Sequence, residues 1–156
     1  MPIVFARVDD RLIHGQVVQA WLPALDVDEV LIPCPAERAT QMNNNFLRLS
    51  LPFEYELTIL EPDRCMHYAA CSKKRILLLL RGLADLPLLL QDGLKIKSIN
   101  IGGMHFKEGA QKLAENVFLD KQDKTILRTL KELGIEVETR EVPASKSICI
   151  KENFYL

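Results

Sequence analysis

The sequence predicts an α/β fold of three layers (α/β/α), in which helices cover both faces of an open, mostly parallel, twisted sheet of six to seven strands. Short runs rich in valine, isoleucine and leucine alternate with helix-like segments along the whole chain, which is the pattern of such folds. Residues 76–80 are continuously apolar, as expected of a central parallel strand that is buried on both faces. The length of 156 residues predicts a single domain over residues 1–156.

Three strands and three helices are predicted in the first half of the chain. Apolar and β-branched runs mark strands at residues 2–8, 29–33 and 55–60. Helical spacing predicts a first helix at residues 13–22, which Pro23 closes. A second is predicted at residues 36–49, with an apolar stripe of Ala39, Met42, Phe46 and Leu49. A third is predicted at residues 62–70, with Pro62 in its first turn.

The alternation continues in the second half. Strands are predicted at residues 76–80, 98–101, 117–119 and 135–137, with an edge strand at 147–150. Helices are predicted at residues 83–90, weakened by Pro87, and at 121–133, with Gly134 as the stop signal. The pair Gly102-Gly103 is predicted to form a turn after its strand.

The predicted fold also indicates where the functional site lies. Ligands of open α/β sheets bind at the carboxyl ends of the strands. We therefore expect the functional site in the loops that follow the strands.

The charge of the chain argues against two classes of partner. Lys and Arg number 20 and Asp and Glu number 21, so the net charge is −1. A nucleic-acid-binding domain usually has a basic excess, and an anionic membrane surface attracts basic clusters. The charged N-terminus shows no secretory signal, and the apolar runs are much shorter than the roughly 18 residues of a membrane span. We therefore expect a cytoplasmic protein that does not bind nucleic acid.

The four cysteines do not indicate a metal site. The tightest cluster is Cys65, His67 and Cys71, which could supply three zinc ligands. A closed structural zinc site needs four ligands and commonly contains a closely spaced cysteine pair. The pattern is more typical of reduced thiols in a cytosolic chain. We expect neither a metal nor an organic cofactor.

Charges are concentrated in the loop after the first strand. Residues 7–16 read Arg-Val-Asp-Asp-Arg-Leu-Ile-His-Gly-Gln, and such charges must face a crevice or pair with one another, because a buried unpaired charge is costly. Histidine is a competent nucleophile near neutral pH, arginine can hold phosphoryl oxygens in a fork, and aspartate can orient an imidazole. The pattern therefore indicates phosphoryl transfer, which depends on positioning and charge stabilisation. The alternative is an exposed loop whose Asp–Arg pairs cap the next helix.

Two segments resemble a known family. The run from Arg7 to Val17, with Trp21 shortly after it, and the run Ile99-Asn-Ile-Gly-Gly-Met104 resemble the IIB component of the mannose/fructose/sorbose-type bacterial phosphotransferase system. The alternation of strands and helices and the Gly-Ile-Glu-Val-Glu segment at 134–138 are similar as well. The likeness extends over nearly the whole chain, and the first run is the more specific of the two.

The resemblance implies a function and roles for individual residues. His14 would accept a phosphoryl group from a phosphohistidine of a IIA protein, on Nδ1, and pass it to a sugar that enters through the membrane IIC and IID components. Arg11 would bind the phosphoryl oxygens, and Asp10 would orient the loop or the ring. Apart from the resemblance, Gly15 directly follows the histidine and is predicted to allow close approach of the phosphate to the backbone. No cofactor is implied, and contact with the membrane would be peripheral, through the partners. The family layout also implies that the first strand lies between the fourth and fifth.

Some residues depart from the family pattern. Pro33-Cys34-Pro35 and Leu80-Arg81-Gly82 stand at strand ends where the family carries other residues. We predict that Arg81 adds a second positive charge at the phosphate, the alternative being a surface salt bridge. His105, after Gly102-Gly103-Met104, could lie near the same crevice. These departures keep open a regulatory phosphohistidine switch without sugar phosphorylation, and a flavodoxin-like module that binds a small ligand is a third hypothesis.

Overall fold

The computed structural model describes residues 2–39 and 43–150 and contains two β-sheets. The strands are β1 (Ile3–Asp9), β2 (Glu29–Pro33), β3 (Glu56–Leu60), β4 (Ile76–Leu80), β5 (Ser98–Gly103), β6 (Gln111–Ala114), β7 (Val117–Leu119), β8 (Glu136–Thr139) and β9 (Ile148–Cys149). The α-helices are α1 (Leu22–Leu25), α2 (Asn44–Ser50), α3 (Pro62–Cys71), α4 (Leu86–Gln91) and α5 (Lys121–Glu132). A π-helical segment, Val17–Trp21, precedes α1, and short 3₁₀ segments span Ala36–Arg38 and Leu83–Asp85.

The main sheet has seven strands in the order β3-β2-β4-β1-β5-β8-β9. All neighbours are parallel except β9, which runs antiparallel to β8 at the edge. β6 and β7 form a separate antiparallel pair. The α/β prediction with six to seven strands is confirmed, and β1 lies between β4 and β5 as the resemblance implied.

The side chains of β4 contribute alternately to two hydrophobic clusters, one on each face of the sheet. Ile76, Leu78 and Leu80 belong to one buried cluster, and Leu77 and Leu79 belong to the other, because successive side chains of a strand point to opposite faces. Buried side chains of α3, α4 and α5 complete the first cluster, whereas those of α1 and α2 complete the second. The sheet is therefore the middle layer of three.

The helices of residues 2–39 and 43–150 include none with the length and apolar character that a membrane span requires.

The helices after β1 and β2 differ from the prediction. Pro23 does not close the first helix, because it lies in the first turn of α1, where its missing N–H costs nothing. The predicted helix 36–49 is instead a 3₁₀ segment and the shorter α2, and its predicted stripe residue Met42 lies outside the described residues. Phe46 and Leu49 are exposed, and Leu47 is the buried residue of α2. The predicted stripe was therefore wrong in its orientation.

The segment 98–119 differs in two ways. Gly102 and Gly103 belong to β5 and do not form a turn, since Gly103 pairs with Asp9 of β1. The strand β6 was not predicted, because its polar sequence Gln-Lys-Leu-Ala lacks the usual strand composition. Elsewhere the agreement is closer: α5 ends one residue before the predicted Leu133, and Gly134 has the left-handed φ of 74° that favours glycine.

Candidate functional site

The loop from residue 10 to residue 14 leaves the carboxyl end of β1 in the middle of the sheet. The Asp10 amide donates to the Gly103 carbonyl at 3.0 Å, which anchors the loop to β5. The Leu12 amide then donates to the Asp9 carbonyl at 2.9 Å, and Leu12 has a φ of 57°. A left-handed non-glycine residue is strained and persists only where its surroundings hold it. Here buried side chains at Leu12 and Ile13 hold this tight turn, which brings His14 back beside β1.

The carboxylate of Asp9, which is fully buried, is the centre of the site. His14 Nε2 lies 2.9 Å from its Oδ2, and Arg7 Nη2 donates to the same oxygen at 3.1 Å. Arg11 Nε donates to Oδ1 at 3.0 Å and Arg11 Nη2 to Oδ2 at 3.1 Å. One carboxylate thus holds two guanidinium groups and the imidazole in fixed positions.

These contacts decide the charge of Asp9. Burial by itself would raise the pKa of this carboxyl group, but the hydrogen bonds from His14 and Arg11 and the neighbouring positive charges outweigh it and lower the pKa to about 2. Asp9 is therefore ionised at neutral pH and can only accept hydrogen bonds. It follows that His14 Nε2 carries the proton and that a neutral ring leaves its lone pair on Nδ1.

Arg7 lies beneath Asp9 and is fully buried. Besides Asp9, its guanidinium donates to the Asn100 side chain and to the backbone carbonyls of Arg140 and Glu141, at 2.9 and 3.2 Å. Burial lowers its pKa from the usual value. The guanidinium fills the space where a side chain at Gly102 would lie, since a Cβ there would be 1.8 Å from Nη2. This explains why a glycine occupies that position of β5.

Trp21 joins the π-helical segment to this group. Its ring is stacked on Phe5 with the centroids 4.9 Å apart, and the Arg7 guanidinium lies 5.0 Å from the ring centroid. Its Nε1 donates to the Glu141 carbonyl at 2.8 Å. Trp21 is buried, so this ring belongs to the core beneath the site.

The structure brings two of the predicted site residues together. His14 and Arg11 meet on one carboxylate, which belongs to Asp9. Of the two roles predicted for Asp10, orienting the loop or orienting the ring, its contacts within residues 2–39 and 43–150 favour the loop, and the prediction that it acts at the site remains a prediction. Successive residues at the end of a strand point to opposite sides, and Asp10 points instead to His105. Its Oδ2 accepts from the His105 backbone amide and lies 2.7 Å from His105 Nδ1.

The remaining two predicted residues lie at the edges of the site. Gly15 is exposed, and a Cβ there would have no neighbour within 4 Å. Arg81 follows β4 and, with Asp10 and His105, lines a cavity of about 250 Å³. Within residues 2–39 and 43–150 no hydrogen bond joins Arg81 to Asp9 or His14. Its predicted phosphate contact therefore remains a prediction.

Sequence reasoning placed Arg7 and Asp9 in the charged loop but assigned neither to the site. A signal was available, because residues two apart on a strand share a face. Arg7 and Asp9 have this spacing, so a buried arginine could be expected to pair with Asp9 and not with Asp10. Asn100, also missed, lies opposite Arg7 in the parallel pairing of β1 and β5.

The arrangement has the parts that phosphoryl transfer requires. His14 is 18% exposed, its ring is fixed through Nε2, and the partly exposed Arg11 places a positive charge beside it. Among the described residues, no group of three or more His, Cys, Asp or Glu side chains could hold a metal ion. The reactive group at this site is thus an oriented imidazole beside a cation.

Comparison with known proteins identifies the family. The family described as the sorbose subfamily IIB component of the phosphotransferase system matches residues 3–154. The sorbose-specific EIIB component of Klebsiella pneumoniae is 28% identical over 153 residues, which cover 96% of this chain and 93% of that protein. The mannose-specific EIIAB component of Escherichia coli strain K12 is 30% identical over 145 residues, which cover 91% of this chain and 45% of that protein.

The solved structures agree with the sequence comparison. The crystal structure of the IIBSor domain of the sorbose permease from Klebsiella pneumoniae has a TM-score of 0.86 at 27% identity, over 95% of this chain and 93% of that one. The matched residues include both segments on which the resemblance was based and the whole of the seven-stranded sheet. The chain therefore belongs to the sorbose subfamily of IIB components of the phosphotransferase system, the phosphotransferases that receive a phosphoryl group from IIA and pass it to a sugar.

Proposed function

We propose that His14 is the phosphoryl carrier of this IIB component and that the phosphoryl group is held on Nδ1. The observation that carries the proposal is the contact between His14 Nε2 and the ionised, buried carboxylate of Asp9 at 2.9 Å. This contact keeps the proton on Nε2, so that Nδ1 is the nucleophile. It also stabilises the positive charge that the ring acquires when Nδ1 forms a bond to phosphorus.

Each transfer exchanges one bond to phosphorus for another. In the first step the Nδ1 lone pair of His14 attacks the phosphorus of the phosphohistidine of IIA, and the electron pair of the broken P–N bond returns to the donor imidazole. In the second step a sugar hydroxyl oxygen attacks the phosphorus, the Nδ1–P bond breaks, and the hydroxyl proton is released to solvent or to a base of the partner. Asp9 holds His14 in one orientation throughout, which is the main requirement of such a carrier.

Arg11 is proposed to bind the phosphoryl oxygens. Its side chain is 32% exposed and reaches Asp9 through Nε and Nη2, while Nη2 also donates to Gln16 Oε1 at 3.2 Å. It therefore stands beside the imidazole as a fixed cation that can attract a phosphoryl group without rearranging. Gly15 and Arg81 are proposed as further phosphate contacts, Gly15 through its backbone and Arg81 through its charge.

The partners follow from the place of a IIB component in its system. We propose that a IIA protein supplies the phosphoryl group and that the IIC and IID permease presents the sugar. The chain would work in the cytoplasm and reach the membrane only through these partners. Both encounters must be transient, so the contact surfaces should lie at the small end of interface sizes.

Incubation with a phosphorylated IIA protein of the same subfamily, followed by intact mass spectrometry, tests this proposal. We expect the mass of one added phosphoryl group on the wild type and on a His67→Ala control, in which an exposed histidine of α3 is removed. His14→Ala should gain none. Phosphorylation that persists in His14→Ala, or that maps to another residue, would show that His14 is not the carrier.

A further inference from the structure

His105 touches the loop that carries His14, although it lies far from it in the sequence. Its Nδ1 is 2.7 Å from Asp10 Oδ2, and its backbone amide donates to the same oxygen at 2.7 Å. The Asp10 amide in turn donates to the Gly103 carbonyl at 3.0 Å. We refer to the two contacts between Asp10 and His105 as the Asp10–His105 latch. It fastens the first residue of the loop to the segment that follows β5.

The latch does not form part of the hydrophobic core. The His105 side chain is 74% exposed and that of Asp10 is 23% exposed. Exposed ion pairs contribute little to global stability. Packing therefore gives no reason for a histidine at this position.

The latch and the Asp9 contacts hold the same loop from opposite sides. Asp9 faces His14 and Arg11, while Asp10, the next residue, faces His105. Between them and His14 lies Leu12 with its left-handed backbone. A strained turn keeps its shape only when the residues on either side are fixed, so freedom at Asp10 would be transmitted to His14.

We propose that His105 is a positioning residue for phosphoryl transfer and that it acts on His14 through Asp10. The inference rests on the proposed role of His14 as carrier. The group that His105 contributes is the Nδ1–H, which donates to the Asp10 carboxylate and keeps the loop against β5. It is not proposed to touch the phosphoryl group.

The chemistry of the side chain allows a sharp test. Asparagine carries its amide nitrogen at the same number of bonds from the backbone as histidine Nδ1, whereas the amide nitrogen of glutamine lies further out, at the distance of Nε2. His105→Asn can therefore preserve both contacts of the latch, while His105→Gln and His105→Ala lose the side-chain contact and keep only the one from the backbone amide. His67→Ala, in α3, is the matched control for the loss of an exposed histidine.

The measurement is a single-turnover transfer from a phosphorylated IIA protein of the same subfamily, with the rate constant recorded as a function of donor concentration. We expect His105→Ala and His105→Gln to lower the rate constant at saturating donor by roughly 10- to 100-fold, because small misplacements of a reacting group have effects of that size. The half-saturating donor concentration and the melting temperature should change little. His105→Asn should recover most of the lost rate.

The possible outcomes are distinct. Wild-type rates in His105→Ala, or an equal loss in His105→Asn and His105→Gln, would overturn the role of the latch. A raised half-saturating concentration with an unchanged maximal rate would assign His105 to docking instead and would also overturn it. Phosphorylation of His14→Ala in the same assay would refute the proposed carrier, independently of what the His105 variants show.

Discussion

Asp9→Asn is the most informative single substitution in the site. It preserves the size of the side chain and removes the charge on which Arg7, Arg11 and His14 converge. The asparagine side chain offers one acceptor oxygen in place of two. Its NH₂ group must therefore face some of the N–H groups that now donate to Asp9. The imidazole then loses the constraint that keeps its proton on Nε2.

The structure sets the size of the expected effects. The pKa of Asp9 falls from 3.8 to about 2 on folding, and this corresponds to about 2 kcal/mol of stability at neutral pH. Arg7 would also be left buried without its counter-charge, and breaking a buried pair commonly costs about 3–5 kcal/mol. We therefore expect Asp9→Asn to lower the free energy of unfolding by about 3 kcal/mol. In protease triads the same change slows catalysis by about 10⁴-fold through the wrong tautomer, so we expect transfer to slow by roughly 10²- to 10⁴-fold.

Two measurements check this prediction. Single-turnover transfer from phosphorylated IIA gives the rate, and nitrogen-15 spectra of the imidazole report which ring nitrogen of His14 carries the proton. Asp10→Asn is the matched variant, because it alters the neighbouring carboxylate that does not contact His14. The reasoning is refuted if Asp9→Asn transfers at the wild-type rate with an unchanged tautomer, or if Asp10→Asn is the more impaired of the two.

Three further predictions concern stability. Gly102→Ala should lower the melting temperature steeply, since its Cβ would lie 1.8 Å from the buried guanidinium of Arg7, whereas Gly15→Ala, with nothing within 4 Å, should change the free energy of unfolding by less than about 1 kcal/mol. An equal effect of both alanines would contradict the placement of that guanidinium. The second prediction concerns stability in acid. Because the folded protein holds the pKa of Asp9 below its usual value, the contribution of Asp9 to the free energy of unfolding is complete above about pH 4 and is lost as the pH falls through about 2. Denaturant titrations should show this loss of about 2 kcal/mol in the wild type but not in Asp9→Asn. The third prediction concerns α2. Leu47→Ser should lower the free energy of unfolding by about 2 kcal/mol or more and Leu49→Ser by less than about 0.5 kcal/mol, because only Leu47 is buried. If urea unfolding gave the reverse order, Leu49 would face the core, as the sequence predicted.

The sheet was predictable because the amino-acid composition of most of its strands differs clearly from that of the helices and loops. β4 is a run of one isoleucine and four leucines, and β1, β2 and β3 are marked by β-branched residues. Elements held by tertiary contacts were not predictable in this way. α2 exposes Phe46 and Leu49 and buries Leu47, so its apolar residues do not report which face meets the core. β6 has a polar sequence that only its pairing with β7 turns into a strand.

The site was predictable as a loop but not as a set of contacts. The density of charge in residues 7–16 and the resemblance both indicated His14 and Arg11, which do lie together. The choice between Asp9 and Asp10 depended on which side of β1 each residue faces, and composition does not contain that information. The strand period does contain it, since Arg7 and Asp9 share a face.

The buried Arg7–Asp9 pair is better understood as a device for position than as a source of stability. Removing two charges from water costs more than most ion pairs return, unless other groups satisfy the remaining donors. Here the Asn100 side chain and the carbonyls of Arg140 and Glu141 accept from the two Nη groups of Arg7, but its buried Nε has no hydrogen-bond partner among the described residues, so the compensation is incomplete. One guanidinium thereby joins β1, β5 and the segment after β8, and the carboxylate that holds His14 cannot move without disturbing all three. A carrier that must meet two different partners with the same imidazole benefits from a ring position fixed by its own fold, and this pair supplies it.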